Sequence, residues 1–201
     1  TKTVNMQSSL RKFGYAAEDV TDVFCTHLHF DHAGGNTRID EAGRVVPTFP
    51  NATYWVQKSN WELANAPSEK DRASYLSENW AVLAENGMIQ LVEGEEEFIP
   101  GLEVIVTNGH TAGQQLPKIS HGNHTILFAG DLFPTVAHLR IPWVMAYDNF
   151  PVQTLAEKKA LLPRMVRENW ILFLEHDSRH VAVTVEHDGK NYRPKETITI
   201  S

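Results

Sequence analysis

Four short stretches of this chain bring together residue types that bind metal ions. The densest is Thr26-His27-Leu28-His29-Phe30-Asp31-His32, an H-x-H-x-D-H pattern. At this chain's own His and Asp frequencies, chance would produce it in on the order of one chain in a thousand. His27 and His29 lie two apart at the end of a strand-like run, so their rings can point to one side. Asp31 and His32 follow where the chain turns, and the Gly34-Gly35 pair lets backbone pack close to such a site. Three further apolar runs each end in a candidate ligand: His110 after Val104–Thr107, Asp131 after Leu127–Ala129, and His176 after Ile171–Leu174. Five imidazoles and two carboxylates suit two borderline divalent cations, with one carboxylate left to bridge them. Zinc is the first expectation, although the same donors accept Mn, Fe or Co. Two such cations would lower the pKa of a shared water and supply a bridging hydroxide to attack a carbonyl carbon or a phosphorus. Asp31 could also orient that hydroxide or pass a proton to the leaving group. No G-x-S-x-G, Walker or dinucleotide-binding pattern suggests a competing chemistry.

Alternating strands and helices must position these groups. The pattern predicts a helix ending at Phe13 before Gly14, then a strand over Val20–Thr26. A strand at Thr53–Gln57 precedes a helix opened by Ser59-x-x-Glu62 and ended by Pro67. A longer helix is predicted over Ser68–Asn86, with Tyr75, Leu76, Trp80, Leu83 and Ala84 on one face. Strands follow at Ile89–Val92 and Leu102–Thr107, with Glu93–Glu97 as a solvated turn. A hairpin joins Gln114–Ser120 to Thr125–Ala129. Thr154-x-x-Glu157 caps a helix to about Glu168, bent at Pro163. Trp170–Glu175 reads as a buried strand, and Val181–Ile200 as strands around Asp188-Gly189.

With 201 residues, 42% of them hydrophobic and 21% charged, the chain can bury a substantial core, which excludes a disordered or coiled-coil chain. No wholly apolar run exceeds five residues, far short of a membrane span. A net charge of −7 argues against nucleic-acid or anionic-membrane partners and leaves a small-molecule substrate. The single cysteine, Cys25, forbids an internal disulfide and favours a reducing, cytoplasmic setting. It reads as a small buried hydrophobe. A homodimer is compatible with this reading.

His121, His124, His180 and His187 fall in or near turns and read as solvent-facing; Trp55, Trp61, Tyr75 and Trp80 read as core. The segment from Leu132 to Pro151 has several prolines, bulky groups and no clean periodicity. A loop of this kind above a metal site would line a substrate pocket, with Phe133, His138, Trp143 and Tyr147 as substrate-binding candidates.

The segments THLHFDHAGG, NGHTAGQQ, FAGD and LEHD, in that order, resemble the metal motifs of the metallo-β-lactamase-fold hydrolase superfamily. The resemblance implies an α/β (α+β) fold, a four-layer αβ/βα sandwich with a dinuclear site at one edge of its sheets. It implies that His27, His29 and His110 hold one metal, that Asp31, His32 and His176 hold the other, and that Asp131 bridges both. Asp31 and Asp131 are then the catalytic carboxylates. Members usually carry several strands and an Asp-Thr-Gly-like turn ahead of the first motif, whereas 26 residues precede His27. The expectation is therefore a single hydrolase domain over residues 1–201, N-terminally incomplete and drawn from a longer parent.

A bridging Asp131 is unlike typical β-lactamases of this fold. Glyoxalase-II-like thioesterases carry a helical C-terminal domain, whereas the 25 residues given after His176 read as strands, so that branch is not the expected one. Flavodiiron proteins usually have Glu where His29 stands, and the tRNA-processing branch wants a basic surface. The stretch after Asp131 is most similar to the lactonase and organophosphate-hydrolase branch. The expected activity is hydrolysis of small esters, with an N-acyl homoserine lactone-like lactone favoured. Phosphotriester or phosphodiester hydrolysis and a catalytically inactive metal-binding module are the alternatives.

Overall fold

The computed structural model describes residues 6–199 and gives the chain two units, divided between Glu93 and Gly94, each with its own hydrophobic core. The first unit runs α1 (Met6–Lys12), β1 (Asp22–Phe24), α2 (Phe30–Ala33), β2 (Thr37–Ile39), β3 (Val45–Pro47), β4 (Thr53–Gln57), α3 (Lys58–Asn65), α4 (Ala81–Glu85) and β5 (Ile89–Val92). β1, β4 and β5 form a parallel sheet in the order β1-β4-β5. Parallel neighbours need a crossover, and α3 and α4 lie in the one between β4 and β5. Alternation along β4 sends Tyr54 and Val56 into a core with Leu28, Trp80 and Leu83. The buried Tyr54 hydroxyl accepts from Phe49 N–H and donates to the Asn36 carbonyl, both at 3.2 Å.

The second unit contains β6 (Glu97–Ile99), β7 (Leu102–Thr107), β8 (Gln114–His121), β9 (His124–Phe128), α5 (Pro151–Arg167), β10 (Ile171–Phe173), β11 (Ala182–His187) and β12 (Tyr192–Ile198). All seven strands join one sheet in the order β12-β11-β10-β9-β8-β7-β6. Every pairing is antiparallel except β9 with β10, which run parallel and are connected through α5. Leu116, Leu127, Leu172 and Val183 are buried with Leu161, Leu162 and Met165 of α5 and with Phe133, Leu139 and Trp170. The mixed α/β class is as expected, and among the described residues no helix is long and apolar enough to cross a membrane.

Local patterns misled at three places. The expected helix over Ser68–Asn86 is instead two short 3-10 turns, Arg72–Ser74 and Ser77–Asn79, followed by α4. Between the turns Tyr75 and Leu76 are extended, and Tyr75 forms a β-bridge with His29. That tertiary pairing overrides the helical spacing. α3 begins at Lys58 with no side-chain cap, so Ser59 and Glu62 form no capping box. α5 begins at Pro151, whose fixed φ and missing N–H suit a first helical position. It runs uninterrupted through Pro163, and Thr154 and Glu157 make bonds outside the helix instead.

Leu172 lies in the middle of β10 and is fully enclosed. Leu172→Ala is expected to cost about 2–5 kcal/mol, read as a lower urea midpoint at an unchanged m-value.

Candidate metal centre

In the first unit the H-x-H-x-D-H motif follows a strand and spans a corner and one turn of helix. His27 comes three residues after β1 ends, and His29 is the extended residue preceding α2 (φ −62°, ψ 148°). Asp31 and His32 therefore sit in the first turn of α2, where the His29 carbonyl accepts from His32 N–H (3.0 Å) and Ala33 N–H (2.8 Å). The result brings His27 Nε2 and His29 Nδ1 to 3.0 Å, with ring centroids 4.5 Å apart at 81°. The His32 ring stacks obliquely on His27 at 4.1 Å, and its Nε2 lies 3.6 Å from Asp31 Oδ2.

Neighbours hold this arrangement. Thr26 Oγ1 sits 3.2 Å from His27 Nδ1, Asn60 Oδ1 accepts from Leu28 N–H at 2.9 Å, and the buried Tyr75 ring lies edge-on to His29 at 4.7 Å. The glycine pair serves other neighbours than expected. A Cβ on Gly35 would meet the end of the Met6 side chain, and one on Gly34 the Phe30 carbonyl. Cys25 is buried, as read from sequence. Burial pushes its thiol up to about 11, against the opposing Asn36 amide hydrogen bond.

In the second unit strand direction does the positioning. β7, β9 and β10 run the same way, and each delivers a candidate ligand three residues past its last residue: His110, Asp131 and His176. The parallel register pairs Phe128 with Phe173, so Asp131 and His176 leave the sheet at equal offsets. Asp131 then turns one carboxylate oxygen to each of two imidazoles: Oδ2 is 3.1 Å from His110 Nε2, and Oδ1 is 3.1 Å from His176 Nε2. His110 and Asp131 are buried, and His176 is exposed.

Several positioning groups were not singled out from sequence. Asp148 Oδ1 lies 3.0 Å from His110 Nδ1, while Thr154 Oγ1 donates to Asp148 Oδ2 at 2.9 Å. A carboxylate on the far nitrogen of a metal-binding histidine fixes tautomer and ring plane and raises ligand basicity. The available signal was an aspartate directly after the apolar run Trp143–Tyr147, since a buried charge requires a partner. Glu157 accepts from Asn108 N–H (2.7 Å) and Gly109 N–H (3.2 Å), tying the His110 loop to α5. Gly109 must be glycine there: a Cβ would come within 2.4 Å of Thr154 backbone. Gln114 spans the sheet end, its Oε1 accepting from Asp131 N–H and its Nε2 donating to Thr107 Oγ1, both at 2.9 Å. Asp177 accepts from the backbone N–H groups of Val136, Arg179 and His180. Desolvation would raise its pKa, but these bonds prevail and hold it down at about 2.

The pocket candidates are placed differently from one another. Phe133 is fully enclosed in the core, and His138 is partly buried with Thr135 Oγ1 2.9 Å from its Nδ1. Burial and the Lys158 charge lower the His138 pKa. Trp143 and Tyr147 are exposed. His121, His124 and His187 are exposed as expected, whereas His180 is partly buried with Nδ1 3.1 Å from Asp177.

The donor chemistry fits divalent cations. Two ligands at roughly 2.0–2.2 Å from one tetrahedral ion lie about 3.3 Å apart, close to the 3.0–3.1 Å of the His27–His29, His110–Asp131 and His176–Asp131 pairs. Asp148→Ala is expected to weaken metal affinity by about 10–100-fold, measured by competition with a chromogenic chelator.

Comparison with known proteins agrees with these motifs. Residues 2–176 match the family model "Metallo-beta-lactamase superfamily". An N-acyl homoserine lactonase from a Bacillus species is 35% identical over 171 residues, covering 84% of this chain. The chain spans 60% of that lactonase's length. A probable metal-dependent hydrolase from Staphylococcus aureus superposes with a TM-score of 0.84 at 30% identity, covering 98% of this chain and 70% of that one. An N-acyl homoserine lactone hydrolase, solved with N-hexanoyl-L-homoserine at its catalytic metal center, gives a TM-score of 0.66 at 27% identity, covering 86% and 62%. On the family match and the motifs that carry it, the chain belongs to the metallo-beta-lactamase superfamily.

Proposed function

We propose that this chain is the catalytic part of a dinuclear, metal-dependent hydrolase of small esters, with a lactone of the N-acyl homoserine type as favoured substrate. The observation that carries the reading is Asp131, which turns one oxygen to His110 and the other to His176, the arrangement a carboxylate shared by two cations requires. His27, His29 and His110 are assigned to one cation, Asp31, His32 and His176 to the other, and Asp131 to both. All residues then act as one hydrolase domain. Zinc suits the nitrogen and carboxylate donors, and the lactonase relatives support the substrate class.

When bound, the two cations supply an activated water at neutral pH and polarise the scissile carbonyl. The protein's own residues do the rest. Asp148 and Thr26 hold the ring planes of His110 and His27, so little reorganisation accompanies the reaction. Asp31, exposed at the start of α2, accepts a proton from the attacking water and returns it to the leaving oxygen. His138, Trp143 and Tyr147 meet the acyl chain, and the buried Phe133 supports that segment from beneath.

The zinc-loaded chain is expected to carry two ions by mass spectrometry and to open N-hexanoyl-homoserine lactone. Chelation should abolish turnover, and His29→Ala or Asp131→Asn should lower kcat/KM by at least about a thousandfold. Turnover that survives chelation would overturn the metal mechanism. One ion per active chain would overturn the dinuclear reading, and faster cleavage of a paraoxon-like triester would overturn the lactone preference.

A further inference from the structure

Lys158 is an anomaly in the core of the second unit. It lies in α5 one turn after Thr154, and its side chain is 0% exposed. An ammonium in such a place needs all its donors satisfied. Lys158 Nζ donates to three backbone carbonyls of one short stretch: Arg140 at 2.8 Å, Ile141 at 3.2 Å and Trp143 at 2.7 Å. That stretch follows the 3-10 turn Val136–Leu139 and belongs to no helix or strand. A further hydrogen bond closes it, from Trp143 N–H to the Arg140 carbonyl at 3.0 Å, and the Arg140 guanidinium stacks over the Trp143 ring at 5.0 Å.

The same face of α5 holds the segment again a few residues on, where Thr154 binds Asp148. From there the chain returns to the His110 loop: Asn149 N–H donates to the His110 carbonyl (2.9 Å) and Phe150 N–H to the Gly109 carbonyl (2.8 Å). The stretch 140–150 is therefore strapped to α5 at two points. The Asp148 strap serves the histidine. The Lys158 strap touches no candidate ligand and instead fixes the backbone that carries Trp143, whose side chain is 49% exposed.

We propose that Lys158 is a positioning residue for substrate selection, clamping residues 140–143 so that Trp143 stands at a set height in the acyl-binding wall. This rests on the preceding assignment of that segment to the substrate pocket. Burial lowers the Lys158 pKa to about 8, against the opposing attraction of Asp148, which still leaves the amine mostly protonated at neutral pH with its three N–H donors available to the carbonyls. A methionine of similar volume would fill the space but remove the ammonium donor from all three carbonyls, leaving that of Arg140 only its bond from Trp143 N–H.

The test compares wild type with Lys158→Met and Lys158→Arg in the zinc-loaded full chain, using two readouts. Limited trypsinolysis at Arg140, whose carbonyl is the scissile one, should be accelerated about tenfold or more in K158M and largely restored to the slow wild-type rate in K158R. On N-hexanoyl- and N-decanoyl-homoserine lactone, K158M should raise KM by about fivefold or more, the longer chain suffering most, with kcat within about threefold. Should K158M fail to fold by circular dichroism, Lys158→Gln, which retains a shorter amide donor, carries the same comparison. Equal cleavage rates at Arg140 would overturn the clamp, and an unchanged KM on both lactones, or a loss confined to kcat, would overturn the selection role. A wild type inactive on every lactone would refute the functional assignment, while the cleavage rates would still decide on the clamp.

Discussion

A carboxylate held between two imidazoles cannot shift toward one without leaving the other, and Asp131 is in that position. Much of the second unit serves to make the position reproducible. Asp131 is buried, so its charge must be met by close partners rather than by water. Its backbone N–H is taken up by Gln114, which in turn binds Thr107 at the end of β7. The parallel pairing of β9 with β10 sets where the chain departs toward Asp131 and His176. One rigid sheet thus determines the geometry of three candidate ligands that arrive on three separate loops.

α5 is the second part of that frame. A parallel pair requires a crossover, and this helix supplies it, packing Leu161, Leu162 and Met165 into the core. Its N-terminal half does different work. Glu157, Thr154 and Lys158 reach out to the His110 loop, to Asp148 and to residues 140–143. Each of these polar groups is matched by backbone or side-chain partners, so burial costs little and the loops inherit the helix's rigidity. Gly109 belongs to the same device, since only a residue without Cβ lets the His110 loop approach the Thr154 backbone.

The first unit solves its positioning problem over a much shorter length of chain. A strand end, a corner at His29 and one helical turn place four candidate ligands within seven residues of sequence. Because the spacing is local, its chemistry was legible without coordinates. The groups that steady it were not: Asn60 and Tyr75 come from distant elements, and Tyr75 was read as a helical core residue. It is buried as expected, yet it is extended and paired with His29.

The sequence by itself determined the donor inventory, the ends of the strands that carry it, the hairpin, the buried cysteine and the family, because metal motifs and period-two apolar runs are encoded over a few neighbouring residues. It also singled out residues 132–151 as an unusual segment. Tertiary structure alone decided that Ser68–Asn86 breaks into turns, that Thr154 and Glu157 bind loops rather than cap their own helix, and that Asp148 meets the His110 ring while Lys158 meets the backbone of residues 140–143. The physical reason is shared. A polar side chain's role depends on which partner removes the cost of its burial, and that partner can lie 38 residues away, as His110 does from Asp148.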